Sequence, residues 1–158
     1  MSGFELRRRV LGVDFGQARI GVAVSDELGM LAHPLETIPA ARLDAAAKRI
    51  AELAREKDAE QVVLGMPRHM NGEIGAAAAE ATAFAERLRA LLPCPVVMWD
   101  ERLSTTAAHR ALRDSGRKTR DTRGVVDQVA AQMILQGYLD KQQGAAGGDW
   151  LTDPAPQG

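Results

Sequence analysis

Acidic residues of this sequence lie at three places where an apolar segment meets a turn or a helix. Asp14 ends the run "RVLGVDFG", and Asp100 and Glu101 end "PVVMWDE", with Arg102 directly behind them. Asp127 opens "DQVAAQMIL", whose apolar residues have helical spacing. Carboxylates beside buried strands repel each other and resist losing water, so they need a cationic partner. Three carboxylates from separate elements would bind a hard cation such as Mg²⁺ or Mn²⁺.

The chemistry open to such a site is hydrolysis of a phosphodiester. Two divalent ions about 4 Å apart can activate a water molecule and stabilise the leaving oxygen. Since side chains alternate along a strand, only one of Asp100 and Glu101 would face the site, and the residues alone leave both open. The sequence therefore predicts Asp14, Asp127 and one acid of the adjacent pair as metal ligands.

Each acid also has a purely structural explanation. Asp14 could belong to an ordinary turn, and one acid of the adjacent pair could pair with Arg102 or cap the helix that follows. Asp127 lies in the first turn of a predicted helix, where the helix dipole favours an acid in any case. The three histidines of the chain show no paired spacing, which favours lone surface or core histidines over a metal site.

The elements that must position these acids alternate between strand and helix patterns. Strands are predicted at 9–16, 19–27, 30–38, 61–67 and 95–101, and helices at 40–57, 76–92, 104–116 and 125–141. The first three strands are too close for crossover helices, so they should be antiparallel, and Pro34 suits the third to an edge. The later strands follow helices and should be parallel. The prediction is an α/β fold with a mixed five-stranded sheet, flanked by helices, and with acids at the carboxyl ends of its parallel strands.

The composition is that of a single soluble domain. With 158 residues, 46% of them hydrophobic, the chain can bury one core. We assign residues 1–143 to this domain and expect residues 144–158, rich in glycine, alanine and proline, to form a disordered tail. No apolar run is long enough to cross a membrane, and the lone cysteine, Cys94, indicates a reducing cytoplasm. Because the formal net charge is −1, any basic surface must be local.

Basic residues occur at places suited to a phosphate backbone. The predicted nucleic-acid contacts are Arg19 and Arg102 beside the acids, Arg68 in "GMPRHMNGEIG", and Arg117, Lys118, Arg120 and Arg123 in the tract before Asp127. The glycine-rich turn around Arg68 precedes a predicted helix, whose N-terminus would favour a phosphate. A solvated basic loop is the simpler alternative for the tract. Because aromatic residues are few, recognition should depend on the backbone and shape of the nucleic acid.

Four segments carry a resemblance to a known family: "LGVDFGQARIGVAVSD", "VVLGMPRHMNGEIG", "WDERLSTTAAHRAL" and "DQVAAQMILQGYL". In this order they resemble the YqgF/RuvX family of pre-16S rRNA nucleases, relatives of the RuvC Holliday junction resolvases, over residues 10–139. The resemblance implies an RNase H-like fold. It also implies a metal site formed by Asp14, Glu101 and Asp127, with Asp100 as the alternative to Glu101.

The function that this resemblance implies is that of a metal-dependent endonuclease with Mg²⁺ or Mn²⁺ as cofactor. The expected substrate is precursor 16S rRNA at its 5′ end, in ribosome biogenesis. Two alternatives stay open: a resolvase of four-way DNA junctions and a nucleic-acid-binding module without catalysis. Symmetric cleavage of a junction needs two active sites related by a two-fold axis, so a homodimer is one assembly to consider. The tract from Arg117 to Gly124 holds more arginine and fewer lysines than the family pattern, which leaves the choice between RNA and DNA open.

Overall fold

The computed structural model of the chain describes residues 9–16, 18–66, 76–100 and 123–147, and of these it describes the backbone alone for residues 66, 76–78, 123–127 and 143–147. The strands are β1 (Arg9–Phe15), β2 (Arg19–Ser25), β3 (Ala32–Pro39), β4 (Ala59–Met66) and β5 (Val96–Asp100). The helices are α1 (Leu43–Glu56), α2 (Ala76–Leu91) and α3 (Arg123–Gly147). All five predicted strands and three of the predicted helices are present, and the predicted helix at 104–116 lies outside the described residues.

The strands form one sheet in the order β3-β2-β1-β4-β5. The pairs β1–β2 and β2–β3 are antiparallel, whereas β4 is parallel to both β1 and β5. The mixed five-stranded sheet and the edge position of the strand that contains Pro34 are therefore confirmed. Because β1, β4 and β5 run in one direction, their last residues, Phe15, Met66 and Asp100, lie at the same end of the sheet. We call this end, where the carboxyl ends of the parallel strands lie, the carboxyl edge.

Helices pack on both faces of the sheet. Alternation along β1 places Leu11 and Val13 on the face covered by α1 and α2, and Val10, Gly12 and Asp14 on the face covered by α3. The buried core of the first face, the α1/α2 face, includes Ile50, Leu53, Phe84 and Leu88, and that of the second, the α3 face, includes Val63, Trp99, Ile134 and Leu135. Within the described ranges, no helix is long and apolar enough to cross a membrane.

Helix α3 is longer than predicted at both ends. It begins at Arg123, so Arg123 and Gly124 belong to the helix rather than to a basic loop, and it continues to Gly147 instead of ending at Lys141. Residues 144–147 therefore belong to α3 and not to the predicted disordered tail. Ala145 and Ala146, which lie between Gly144 and Gly147, are strong helix formers. The overall content of glycine, alanine and proline in residues 144–158 predicted disorder instead. Residues 148–158 lie outside the described residues.

Candidate active site

Asp14 is the penultimate residue of β1 and is almost completely buried, with 1% of its surface exposed. It pairs in register with Gly21 of β2, one residue before the carboxyl edge. The other buried polar residue in the described part of the chain is Ser25, whose hydroxyl accepts a hydrogen bond from the Val10 N–H at 2.8 Å. A buried carboxylate needs compensation by donors or by a cation. The position of Asp14 is therefore suited to a cation ligand.

Helix α3 lies directly on the strands beside Asp14. A Cβ atom at Gly12 would lie 2.6 Å from Leu135 Cβ and 3.1 Å from the carbonyl oxygen of Ala131. A Cβ atom at Gly65 of β4 would clash with Cδ1 of Ile134. The two glycines thus allow a closer approach of the helix to β1 and β4 than any other residue would.

The direction of α3 brings its first turns to the end of β1 that carries Asp14. Near the other end of the helix, the Tyr138 hydroxyl donates a hydrogen bond to Oε1 of Gln61 at 2.8 Å, and Gln61 lies beside the start of β1. Because Ala131 lies over Gly12, the helix runs antiparallel to β1. Asp127 precedes Ala131 by one turn, so the backbone of α3 places it toward the carboxyl edge. The side chain of Asp127 lies outside the described part of the chain.

Asp100 ends β5 and lies on the opposite face of the sheet from Asp14. Its neighbour Trp99 belongs to the α3 face, where its ring packs edge-on against Tyr138 with 5.8 Å between centroids. Alternation along β5 then assigns Asp100 to the α1/α2 face. This position argues against Asp100 as the partner of Asp14. Glu101 lies outside the described residues.

The turn between β1 and β2 brings Arg19 to the carboxyl edge. The N–H of Gly16 donates a hydrogen bond to the carbonyl oxygen of Arg19 at 3.1 Å, and a Cβ atom at Gly16 would lie 2.5 Å from that oxygen. This tight turn needs glycine, and it starts β2 with a half-buried arginine beside the end of β1. A guanidinium at this position is suited to bind a phosphate oxygen.

The other predicted nucleic-acid contacts fall where the structure does not describe side chains. Arg123 begins α3, with its backbone alone described. The remaining ones lie outside the described residues: Arg68, Arg102, Arg117, Lys118 and Arg120.

No three carboxylate, histidine or cysteine groups converge among the side chains that the structure describes. Of the three predicted ligands, Asp14 is the one with a described side chain. His33 is exposed on β3, as expected for a lone surface histidine, and His69 and His109 lie outside the described residues. The described part of the site is thus a buried carboxylate with an arginine nearby and the start of a helix above it.

Sequence reasoning missed a contact between α3 and β3. Nε2 of Gln128 donates a hydrogen bond to Oγ1 of Thr37 at 3.0 Å. Thr37 pairs in register with Gly21, which in turn pairs with Asp14. The available signal was the spacing of three glutamines along α3, Gln128, Gln132 and Gln136. Residues four apart share one side of a helix, so they form a polar stripe beside the apolar one.

Comparisons with known proteins match most of the chain. The family model RuvX, described as Holliday junction resolvase, matches residues 8–141. A relative from Nocardia farcinica named "Putative pre-16S rRNA nuclease" is 50% identical over 143 residues, which cover 86% of this chain and 79% of the relative. A relative of the same name from Halalkalibacterium halodurans is 45% identical over 137 residues, which cover 85% of this chain and 98% of the relative.

Solved structures share the fold at low sequence identity. RuvC of T. thermophilus in complex with a Holliday junction substrate has a TM-score of 0.57 and 15% identity, covering 87% of this chain and 97% of RuvC. A second structure of Thermus thermophilus RuvC has a TM-score of 0.51 and 16% identity, with 86% of this chain and 96% of RuvC covered. The likeness confirms the predicted RNase H-like fold.

Proposed function

The chain belongs to the RuvX family, and from that premise we propose that it is an endonuclease that hydrolyses phosphodiester bonds in the maturation of precursor 16S rRNA. Both relatives described above carry the name of a pre-16S rRNA nuclease, and each alignment covers at least 85% of this chain. We place the cut at the 5′ end of the rRNA, as the family resemblance implies.

The observation that carries this proposal is the burial of Asp14 at the carboxyl edge. Holding a carboxylate out of water is unfavourable unless something compensates its charge. The carboxyl edge is also where sheets with parallel strands place their ligand sites.

We assign a divalent cation, Mg²⁺ or Mn²⁺, to Asp14, Glu101 and Asp127, and we expect two ions. The donors fit, because carboxylate oxygens are the ligands that these cations prefer, and Asp14 offers them from a rigid strand. The chemistry that such ions would supply there is activation of a water molecule and stabilisation of the leaving oxygen. Asp100 has no part in this assignment, because it lies on the other face of the sheet.

The chain's own residues orient the nucleic acid. The turn at Gly16 holds Arg19 beside the end of β1, where its guanidinium can bind a phosphate oxygen close to Asp14. We propose that the other predicted basic residues hold the backbone on either side of the cut: Arg68, Arg102, Arg117, Lys118, Arg120 and Arg123. Such contacts position the strand without reading its sequence.

A four-way DNA junction is the second candidate substrate. The matching family model is described as Holliday junction resolvase, and the chain has the fold of RuvC. Symmetric cleavage of a junction would require a homodimer with a two-fold axis. The two candidates therefore differ in assembly as well as in substrate.

Parallel cleavage assays test the proposal. The substrates are a 5′-extended precursor 16S rRNA and a four-way DNA junction, each with Mn²⁺, with Mg²⁺ or with EDTA. We expect wild-type protein to cut the rRNA precursor at discrete positions, and only when metal is present. Asp14→Asn keeps the shape of the side chain and removes its charge. This variant should abolish cleavage, while the thermal unfolding temperature is retained or rises.

The control is Asp140→Asn, which changes an exposed acid on the part of α3 remote from the carboxyl edge and should leave cleavage unchanged. If Asp14→Asn cut at the wild-type rate, Asp14 would not belong to the site. Preferential cutting of the junction by a dimeric protein would establish the second candidate. Binding of RNA without cutting under all metal conditions would identify a nucleic-acid-binding module.

A further inference from the structure

The geometry points to the hydrogen bond between Gln128 and Thr37 as the contact that positions Asp127 over Asp14. By fixing the first turns of α3 on the sheet, this contact sets the affinity of the carboxylate site for its divalent cation. Both residues act through Asp127 and are positioning residues. The inference rests on the proposed function. It assigns part of the metal affinity of the carboxylate site to residues that touch neither metal nor substrate.

The first step is the location of Thr37. Asp14, Gly21 and Thr37 occupy one row across β1, β2 and β3, since Asp14 pairs with Gly21 and Gly21 with Thr37. The Thr37 hydroxyl accepts a hydrogen bond from the Gln128 side-chain amide at 3.0 Å, although the two residues are 91 positions apart in sequence. The start of α3 is thereby tied to the row of the sheet that contains Asp14.

The second step is the adjacency of Gln128 to Asp127. Gln128 is the first residue of α3 whose side chain the structure describes, and the next hydrogen bond from a described side chain of α3 to the sheet, that of Gln132, comes one turn later. If the bond to Thr37 is lost, the described hydrogen bonds that hold the helix on the sheet begin at Gln132. The turn that carries Asp127 then has more freedom to move away from Asp14.

The third step is a natural control within the same helix. Gln132 and Gln136 also bind the β3 segment: Nε2 of Gln132 donates to the Ala32 carbonyl oxygen at 2.9 Å, and Oε1 of Gln136 accepts from the Ala32 N–H at 2.9 Å. Nε2 of Gln136 donates in addition to the carbonyl oxygen of Met30 at 2.9 Å. Gln136 thus makes one hydrogen bond to β3 and one to the loop residue Met30 just before it, but it lies two turns further from Asp127.

The expected effect follows from the strict distance requirements of a metal site. Mg²⁺ in particular demands near-ideal ligand geometry, so a small displacement of one carboxylate weakens binding. Residues that orient metal ligands without touching the metal typically contribute about 10- to 100-fold to metal affinity. Because the bond is uncharged and partly buried, we expect the lower end of that range.

The experiment compares Gln128→Met with Gln136→Met. Binding of Mn²⁺ to each protein without nucleic acid is measured by electron paramagnetic resonance, and thermal unfolding is measured without metal. Gln128→Met should raise the Kd for Mn²⁺ about tenfold. The Mn²⁺ concentration for half-maximal cleavage should rise equally, and cleavage at saturating Mn²⁺ should stay close to that of wild type. Gln136→Met should lower the unfolding temperature at least as much and leave the Kd unchanged.

Variants of Thr37 test the other side of the bond. Thr37→Val should reproduce the higher Kd, Thr37→Ser should restore wild-type affinity, and Thr37→Val combined with Gln128→Met should be no worse than either single change. An unchanged Kd in Gln128→Met and Thr37→Val, or equal shifts in Gln128→Met and Gln136→Met, would overturn the inference while the nuclease proposal stands. Wild-type protein that neither binds Mn²⁺ nor cuts nucleic acid would overturn both.

Discussion

The two faces of the sheet are packed in different ways. On the α1/α2 face, large apolar side chains fill the space between helices and strands, and the rings of Phe15 and Phe84 stack with 4.9 Å between centroids. On the α3 face, the helix lies on the bare backbone of Gly12, and polar groups take part in the packing. The two buried polar residues of the described ranges, Asp14 and Ser25, both belong to this second face.

This difference indicates that the two faces have different roles, one in stability and one in positioning, and we refer to this as the division between the faces. Apolar burial stabilises a domain without demanding exact positions, since volume-conserving changes are tolerated. A contact between helix backbone and strand backbone allows little displacement, and hydrogen bonds such as that of Gln128 to Thr37 are directional. The α1/α2 face thus supplies stability, and the α3 face supplies the fixed geometry that the proposed metal site requires.

The sharpest test of this division is the adjacent acidic pair. Loss of an outer-shell partner of a metal ligand can lower activity by about 100-fold. Glu101→Gln changes a proposed ligand itself, so it should lower the cleavage rate by more than that. Asp100→Asn should have a milder effect, because Asp100 shares the α1/α2 face. Both rates are measured at saturating Mn²⁺ on the same rRNA precursor. The reverse ranking would transfer the ligand role to Asp100 and break the comparison.

A large loss of stability is expected on the apolar face. Phe84 is fully buried, and Phe84→Ala should lower the free energy of unfolding by about 3–5 kcal/mol. At a temperature where the variant is still folded, its cleavage rate per folded molecule should equal that of wild type. Urea unfolding and cleavage assays on the same preparation check both statements. A lower rate in fully folded variant would show that the α1/α2 face also shapes the site.

Glycine substitutions on the α3 face should affect stability and activity together. Gly12→Ala places its Cβ 2.6 Å from Leu135 Cβ and 3.1 Å from a backbone oxygen, so the helix must move, at a cost of about 1–3 kcal/mol. Gly65→Ala meets the flexible end of Ile134 instead and should cost less. Cleavage by Gly12→Ala should fall even where the protein is folded. Full activity in the folded Gly12→Ala variant would contradict the need for close contact.

The distribution of these features explains what the sequence could predict. The antiparallel and parallel pairs and the edge position of β3 follow from local patterns, such as strand spacing and Pro34. Asp14 was recognisable because an acid interrupts an apolar strand. The glycines of β1 and β4 carried a readable signal of close backbone approach that was not used.

The contacts between α3 and β3 could not be derived from local patterns. The bonds of Gln128 and Gln132 to β3 join residues 91 and 100 positions apart, and a glutamine in a helix is equally compatible with solvent. The buried residues of α3 include Ala130, Ile134 and Tyr138, and also Leu135, which lies on Gly12. Such pairings depend on the rotation of the helix over the sheet, and that rotation is set by the glycines of another element.

The smallest expected effect concerns an ion pair outside the α3 face. The Arg49 guanidinium binds Glu36 through two hydrogen bonds of 2.8 Å and holds the pKa of Glu36 below its usual value. A carboxylate with a lowered pKa stabilises the fold above its unfolded-state pKa, and this contribution is lost as the pH falls through the lower folded-state value. Glu36→Gln should therefore be slightly less stable than wild type at pH 7, and the difference should vanish in acid. Urea midpoints across this range measure it, and a constant difference would exclude the ion pair as its source.

The glutamines of α3 also control what else can bind the sheet. An edge strand with unused N–H and C=O groups is a template on which another chain can add a strand. In β3, the N–H and C=O of Ala32 are occupied by Gln136 and Gln132, and Pro34 has no N–H to offer. Detachment of α3 would free these groups and at the same time disrupt the proposed metal site. A molecule in which α3 is detached would therefore be both inactive and prone to aggregation. Inactive and self-associating states of the protein should arise together.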